Sequence, residues 1–148
     1  MSQDFYYVDL DRREYFRAGL GSEPSSPRGI GRGFAARALG LLLRDDGAWA
    51  RDRIVAIPDT SPEYETEIRG HYRPIDSSVL LLLFADDRDK LMHAATAHDP
   101  LFVHLAELAI AHGAADVGHA LQDAFGSDWK KRYGELRKTS PWIIVPPP

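Results

Sequence analysis

No cysteine occurs in the 148 residues, which excludes disulfides, thiolate nucleophiles and cysteine-bound zinc and fits a reducing compartment. Long apolar runs are missing as well. The longest, Val79 to Ala85, is far short of the roughly 20 residues that a membrane helix needs. Met1–Phe5 has neither the basic start nor the apolar run of a signal peptide. The expectation is a cytoplasmic protein with no membrane attachment. Dense positive charge is also lacking: no Lys/Arg block exceeds Lys130-Lys131-Arg132, and 22 acidic against 18 basic residues leave a formal net charge of -4. That balance argues against nucleic acid as a partner. There is no G-x-S-x-G nucleophile elbow, no internal repeat, no low-complexity tract and no interdomain linker, so residues 1–148 read as a single domain.

What is present is ordinary globular material, 44% hydrophobic and 27% charged. Phe5–Leu10 and Tyr15–Ala18 are strand-forming runs around the polar turn Asp11–Glu14, which predicts a hairpin. Gly19–Gly33 reads as a loop. Phe34–Arg44 predicts a central helix stopped by Asp45-Asp46-Gly47, with Gly47 as its cap. Trp49–Ile57 predicts a central strand near 51–57, halted by Pro58. Glu63–Ile68 alternates acidic residues with Tyr, Thr and Ile, as an edge strand or extended loop would. Asp76-Ser77-Ser78 signals a helix start, and Val79–Phe84 is read as helix although its length also suits a buried strand. Further helices are expected over Lys90–His98, from Asp99-Pro100 to Ala111, and from Asp116 onward. Trp142–Val145, between prolines, predicts a last strand near 142–145. The order fits an α+β fold: a small, mostly antiparallel sheet of hairpin, central strand and C-terminal strand, covered by four or five helices.

Several constellations could carry chemistry. The six histidines, His71, His93, His98, His104, His112 and His119, contain no helical ligand pair. His104 with Glu107 and His119 with Asp123 are the nearest approaches, and both spacings are common among helical charges. No metal or other cofactor is expected from them. Gly29–Gly33 before a helix could cradle phosphate, yet no strand precedes it as the dinucleotide fingerprint requires. Trp129–Tyr133 interleaves cations with aromatics and reads as a helix end, its cations at the favourable negative pole. The acids Asp45, Asp46, Asp59, Glu63, Glu65, Glu67, Asp86 and Asp87 fall in loops, turns or edge-strand faces. Together with Tyr64 and Tyr72 as exposed anchors, they suggest a surface that meets a basic protein partner.

Two resemblances add expectations. Tyr6-Tyr7-Val8-Asp9-Leu10-Asp11 resembles the strand and D-x-D element of haloacid-dehalogenase-type phosphatases, and Val79–Asp87 is loosely similar to their late acidic motif. That likeness implies a small magnesium-dependent hydrolase with Asp9 as nucleophile and Asp11 as acid/base. It departs from the pattern at Arg12-Arg13. Separately, Val8–Phe16, Gly47–Val55 and Asp59 resemble a group of uncharacterised bacterial proteins that join a D-L-D-x-x-E-Y hairpin to a W-x-x-D-R-I-V strand. Some of those proteins look like immunity proteins of toxin systems. The likeness covers about the first 60 residues and departs at Ala50 and Pro58. It implies a non-enzymatic, antitoxin-like protein binder whose partner is a toxin or effector. A homodimer built from apolar helices and edge strands is the third expectation.

Overall fold

The computed structural model describes residues 5–18, 33–97 and 99–139. The expected Gly19–Gly33 loop, all of its glycine motif except Gly33, and the expected strand near 142–145 therefore lie outside the described residues.

The fold is α+β. Strands β1 (Phe5–Asp9), β2 (Glu14–Arg17), β3 (Ile54–Pro58) and β4 (Arg73–Pro74) form one mixed sheet in the order β3-β1-β2-β4. β1 pairs antiparallel with both β2 and β3, while β4 adds a short parallel bridge to β2. The helices are α1 (Gly33–Leu42), α2 (Asp76–Asp86), α3 (Arg88–Ala97), α4 (Asp99–Ala111), α5 (Ala115–Phe125) and α6 (Trp129–Thr139). That makes six α-helices among the described residues, where four or five were expected. None is long and apolar enough to cross a membrane, again among the described residues.

Three sequence expectations need correction. Among the described residues β3 is an edge strand and not a central one, because the hairpin places β1 in the middle and β3 pairs with β1 alone. Gly47 does not cap α1 in a left-handed conformation. It sits where a Cβ would fall 2.2 Å from the Leu42 carbonyl oxygen, so its value is close backbone approach. The Trp129–Tyr133 cations open α6 instead of closing a helix, since Gly126 (φ 82) ends α5 first. Lys130 and Lys131 therefore lie at the unfavourable positive pole. Arg132 compensates by lying over the rings of Phe102 and Phe125 (4.5 and 5.0 Å) and binding Asp99 at 2.8 Å.

The sheet has two covered faces, and the pleat explains which residues serve each. Tyr7 and Phe16 face each other across the hairpin and join the main core with Trp49, α1, α2 and α4. The Phe16 and Trp49 rings lie 5.5 Å apart, and the buried Trp49 indole donates to Glu14 at 3.0 Å. Tyr6, Val8 and Tyr15 point the opposite way. Val8 and Ile68 are fully buried yet stand outside the main core cluster. They mark a second, smaller packing layer.

Candidate functional site

That second layer is made by residues 59–72, which leave β3 at one edge of the sheet and reach β4 at the other. The segment forms a strap. The ladder ends at Pro58, where the chain turns and the Ser61 N–H folds back to the Pro58 carbonyl (3.0 Å). Glu63–Ile68 is therefore not an edge strand, as its alternation suggested, but a helical turn. Residues Tyr64–Ile68 are π-helical, closed by the Arg69 N–H on the Tyr64 carbonyl at 2.8 Å. Tyr64 and Ile68 are four apart, so both face the sheet.

The Tyr64 ring stacks on Tyr6 with centroids 4.5 Å apart and planes 8° from parallel. Tyr15 meets both rings edge-on, at 5.7 Å from Tyr6 and 6.5 Å from Tyr64. Burial, then the neighbouring Tyr64 and Asp76, pushes the Tyr15 hydroxyl up from its usual value. Tyr64 and Tyr72 are half-buried, so Tyr64 in particular is a pin for the strap and not a free anchor. Tyr6 and Tyr15 were missed as site residues. The signal was their position on the face opposite Tyr7 and Phe16.

With its apolar side pinned, the strap shows solvent a row of carboxylates. Glu63, Glu65 and Glu67 are exposed, and Asp59 is half-buried. The Ser61 hydroxyl donates to Glu63 and lowers its carboxyl below the ordinary range. Arg69 lies 3.4 Å from Glu65 and is the strap's single arginine or lysine against four acids. One Asp59 oxygen is buried with no hydrogen-bond partner.

The other predicted acids belong to a different setting. Arg37 reaches from α1 to Asp86 and, at 3.5 Å, to Asp87, while Arg44 lies 4.0 Å from Asp86. Asp45 is 3.7 Å from Arg51, and Asp87 also accepts the Lys90 N–H at 3.1 Å. These carboxylates largely meet cations of their own chain. Of the ten sequence-predicted contact residues, the strap gathers Asp59, Glu63, Tyr64, Glu65, Glu67 and Tyr72; Asp45, Asp46, Asp86 and Asp87 are not part of it.

Asp9 and Asp11 hold the hairpin. Asp9 is fully buried, and its Oδ1 accepts the N–H groups of Asp11 and Arg12, both at 2.8 Å. Burial, with the nearby Asp52 carboxyl, pushes Asp9 up to about 6. Asp11 accepts the Arg53 N–H at 2.7 Å and its side chain at 2.9 Å, which draws its carboxyl down. Neither histidine pair assembles: Glu107 binds Tyr133 and Arg137, and Asp123 lies 3.6 Å from Arg88. Among the described residues no three His, Asp or Glu side chains converge as metal ligands. Two further polar groups stand apart from these. Asp76 accepts the Arg17 N–H at 2.9 Å and is pushed up to about 6 by burial, while His104, with an unpartnered Nδ1, is held down at about 4, chiefly by burial and then by the Arg17 charge.

No family model, curated protein or solved structure matches the chain.

Proposed function

We propose that this chain is a non-enzymatic protein-binding domain, of the kind an immunity or antitoxin-like inhibitor uses, and that the strap is its contact surface for a basic partner. The reading rests on one observation: four carboxylates and one arginine on a segment fixed to the sheet by the Tyr6–Tyr64 stack and by Ile68. A rigid carrier matters because ordering side chains and loops at an interface costs affinity. An excess of acids on a fixed carrier steers a cationic partner in and disfavours an anionic one. The Arg37-linked acids contribute less, since their charge is already met within the chain.

The test is co-purification of the tagged chain with the product of the neighbouring gene, followed by a titration in salt. Glu63→Lys, Glu65→Lys and Glu67→Lys combined should weaken binding at least about a hundredfold, and the wild-type affinity should fall as ionic strength rises. Binding that survives the triple reversal overturns the proposal.

A further inference from the structure

One oxygen of Asp9 has no donor to bind. The residue is fully buried, and its Oδ1 is occupied by the Asp11 and Arg12 N–H groups. Its Oδ2 is buried too, with no hydrogen-bond partner among the described residues. A buried carboxylate oxygen left so is costly. A second carboxyl, that of Asp52, lies within hydrogen-bonding reach of the Asp9 side chain. Two carboxylates there repel, whereas a carboxylic acid and a carboxylate form a charge-assisted hydrogen bond. The neighbouring cations do not remove the repulsion. Arg12 meets Asp52 from the solvent side at 3.1 Å, and Arg53 is taken by Asp11 at 2.8 Å. Glu14, opposite Asp9 in the hairpin register and on the same face, adds a third carboxylate, itself met by the Trp49 indole and by Arg73. Burial, then Asp52, outweighs the two N–H groups and pushes Asp9 up to about 6.

The contact joins two strained pieces of chain. Asp9 closes the hairpin turn, in which Arg13 is left-handed (φ 57), and Asp52 follows the left-handed Arg51 (φ 64). Residues other than glycine keep such backbone where surrounding contacts hold them. Trp49 is fixed by its burial, and Arg53 by Asp11 and Leu10 (2.7 and 2.9 Å). Between these ends the described bonds are weaker. The Ala50 and Asp52 N–H groups reach the Gly47 and Trp49 carbonyls at 3.2 and 3.1 Å, and Arg51 lies 3.7 Å from Asp45 with both side chains in solvent.

We propose that Asp9 and Asp52 share one proton, that this proton locks residues 50–52 onto the hairpin turn, and that its loss frees them. With the proton in place Asp9 Oδ2 donates to Asp52. Without it Asp52 turns outward to Arg12 and water, and Arg51 relaxes. The folded chain takes up this proton before the unfolded chain does, so the lock's contribution is complete below 3.8 and is lost as pH rises through about 6. The lock sits at the opposite end of β3 from Asp59 and stands independently of the acidic-surface proposal.

Carboxyl-carbon NMR on the full chain labelled with 13C-aspartate should show one ionisation near pH 6 felt by both Asp9 and Asp52. Asp52→Asn offers an amide N–H to Asp9 Oδ2, so no proton is needed and Asp9 should titrate at least about one pH unit lower. Hydrogen-exchange protection of the residue 50 and 52 amides should fall at least about tenfold between about pH 5 and 8 in the wild type. It should stay level in Asp52→Asn and in Asp9→Asn, whose own amide donates to Asp52. An Asp9 already ionised at about pH 5, an ionisation that Asp52→Asn leaves in place, or protection indifferent to pH would each overturn the proposal. Millimolar calcium or magnesium that abolishes the ionisation would do the same, making the pair a cation site.

Discussion

Replacing Gly47 by alanine is the sharpest test of how the helical layer is joined to the sheet. A Cβ at this position falls 2.2 Å from the Leu42 oxygen, 2.6 Å from the Leu42 carbon and 2.7 Å from the Leu41 oxygen. All three are backbone atoms, so no side chain can swing aside and the loop itself must move. The movement pulls on the Trp49 N–H bond to the Leu42 carbonyl (2.9 Å) and on the fully buried indole that follows it. Overpacking strain of about 2 kcal/mol and a weakened hydrogen bond of about 1 kcal/mol give a loss of about 3 kcal/mol. For a chain of this size that lowers the melting temperature by roughly 10 °C. Urea unfolding and calorimetry would measure it. Gly47→Asn supplies the control: a left-handed cap accepts Asn, whereas a close approach rejects it as strongly as Ala. Gly126→Ala meets open space, but φ 82 with ψ -177 is backbone that almost only glycine adopts, so it should cost about 2 kcal/mol through backbone strain and not through overlap. A Gly47→Ala cost under about 1 kcal/mol, or a tolerated Gly47→Asn, would refute the reasoning.

Asp9→Ala strips two backbone N–H groups of their acceptor and should cost about 2 kcal/mol in urea, while Asp9→Asn keeps the acceptor and should fold as well as wild type. A magnesium-dependent phosphatase activity abolished by Asp9→Asn would overturn the binding-domain reading. Ile68→Ala should lose about 3 kcal/mol and open the strap to proteolysis; a protease pattern like that of wild type would contradict the strap's anchoring. Asp76 is pushed up to about 6 from 3.8, so the folded chain takes its proton first and stability on its account rises as pH falls from about 7 to 4. His104 is held at about 4 against 6.5, so the unfolded chain charges first and stability on its account falls between pH 6.5 and 4. Asp76→Asn should therefore stabilise more at pH 7.5 than at 4.5, and His104→Leu more at pH 4.5 than at 7.5; melting curves across that range would expose a reversed order.

Much of the layout is legible in the residues. The hairpin, α1, the helix at Val79–Phe84 and the Asp99-Pro100 start of α4 all follow from local pattern, because packing there agrees with propensity. Glu63–Ile68 misleads because its glutamates alternate by accident, while the two residues that touch the sheet, Tyr64 and Ile68, keep a spacing of four. α6 was not separated from α5: apart from the buried Trp129, its face is charged and partly wet, and such helices leave a weak periodic trace. The edge position of β3 depends on what the hairpin occupies first, which no local pattern records. The candidate surface was half visible. Its acids are plain in the chain, but the ones met by Arg37 and Arg44 look the same as those of the strap, since their partners lie about forty to fifty positions away.

The strap's route from one outer strand to the other also orders events during synthesis. The hairpin emerges before the other described elements, yet a lone hairpin is only marginally stable in water. Its helix-side surface waits for Trp49 and α2, and its other surface waits for Ile68. β4 then reaches back to β2 to complete the sheet. The nascent chain thus cannot settle its N-terminal strands until residues up to about Asp86 have emerged, and a pause before that point would leave a tyrosine-rich strand pair bare to its surroundings.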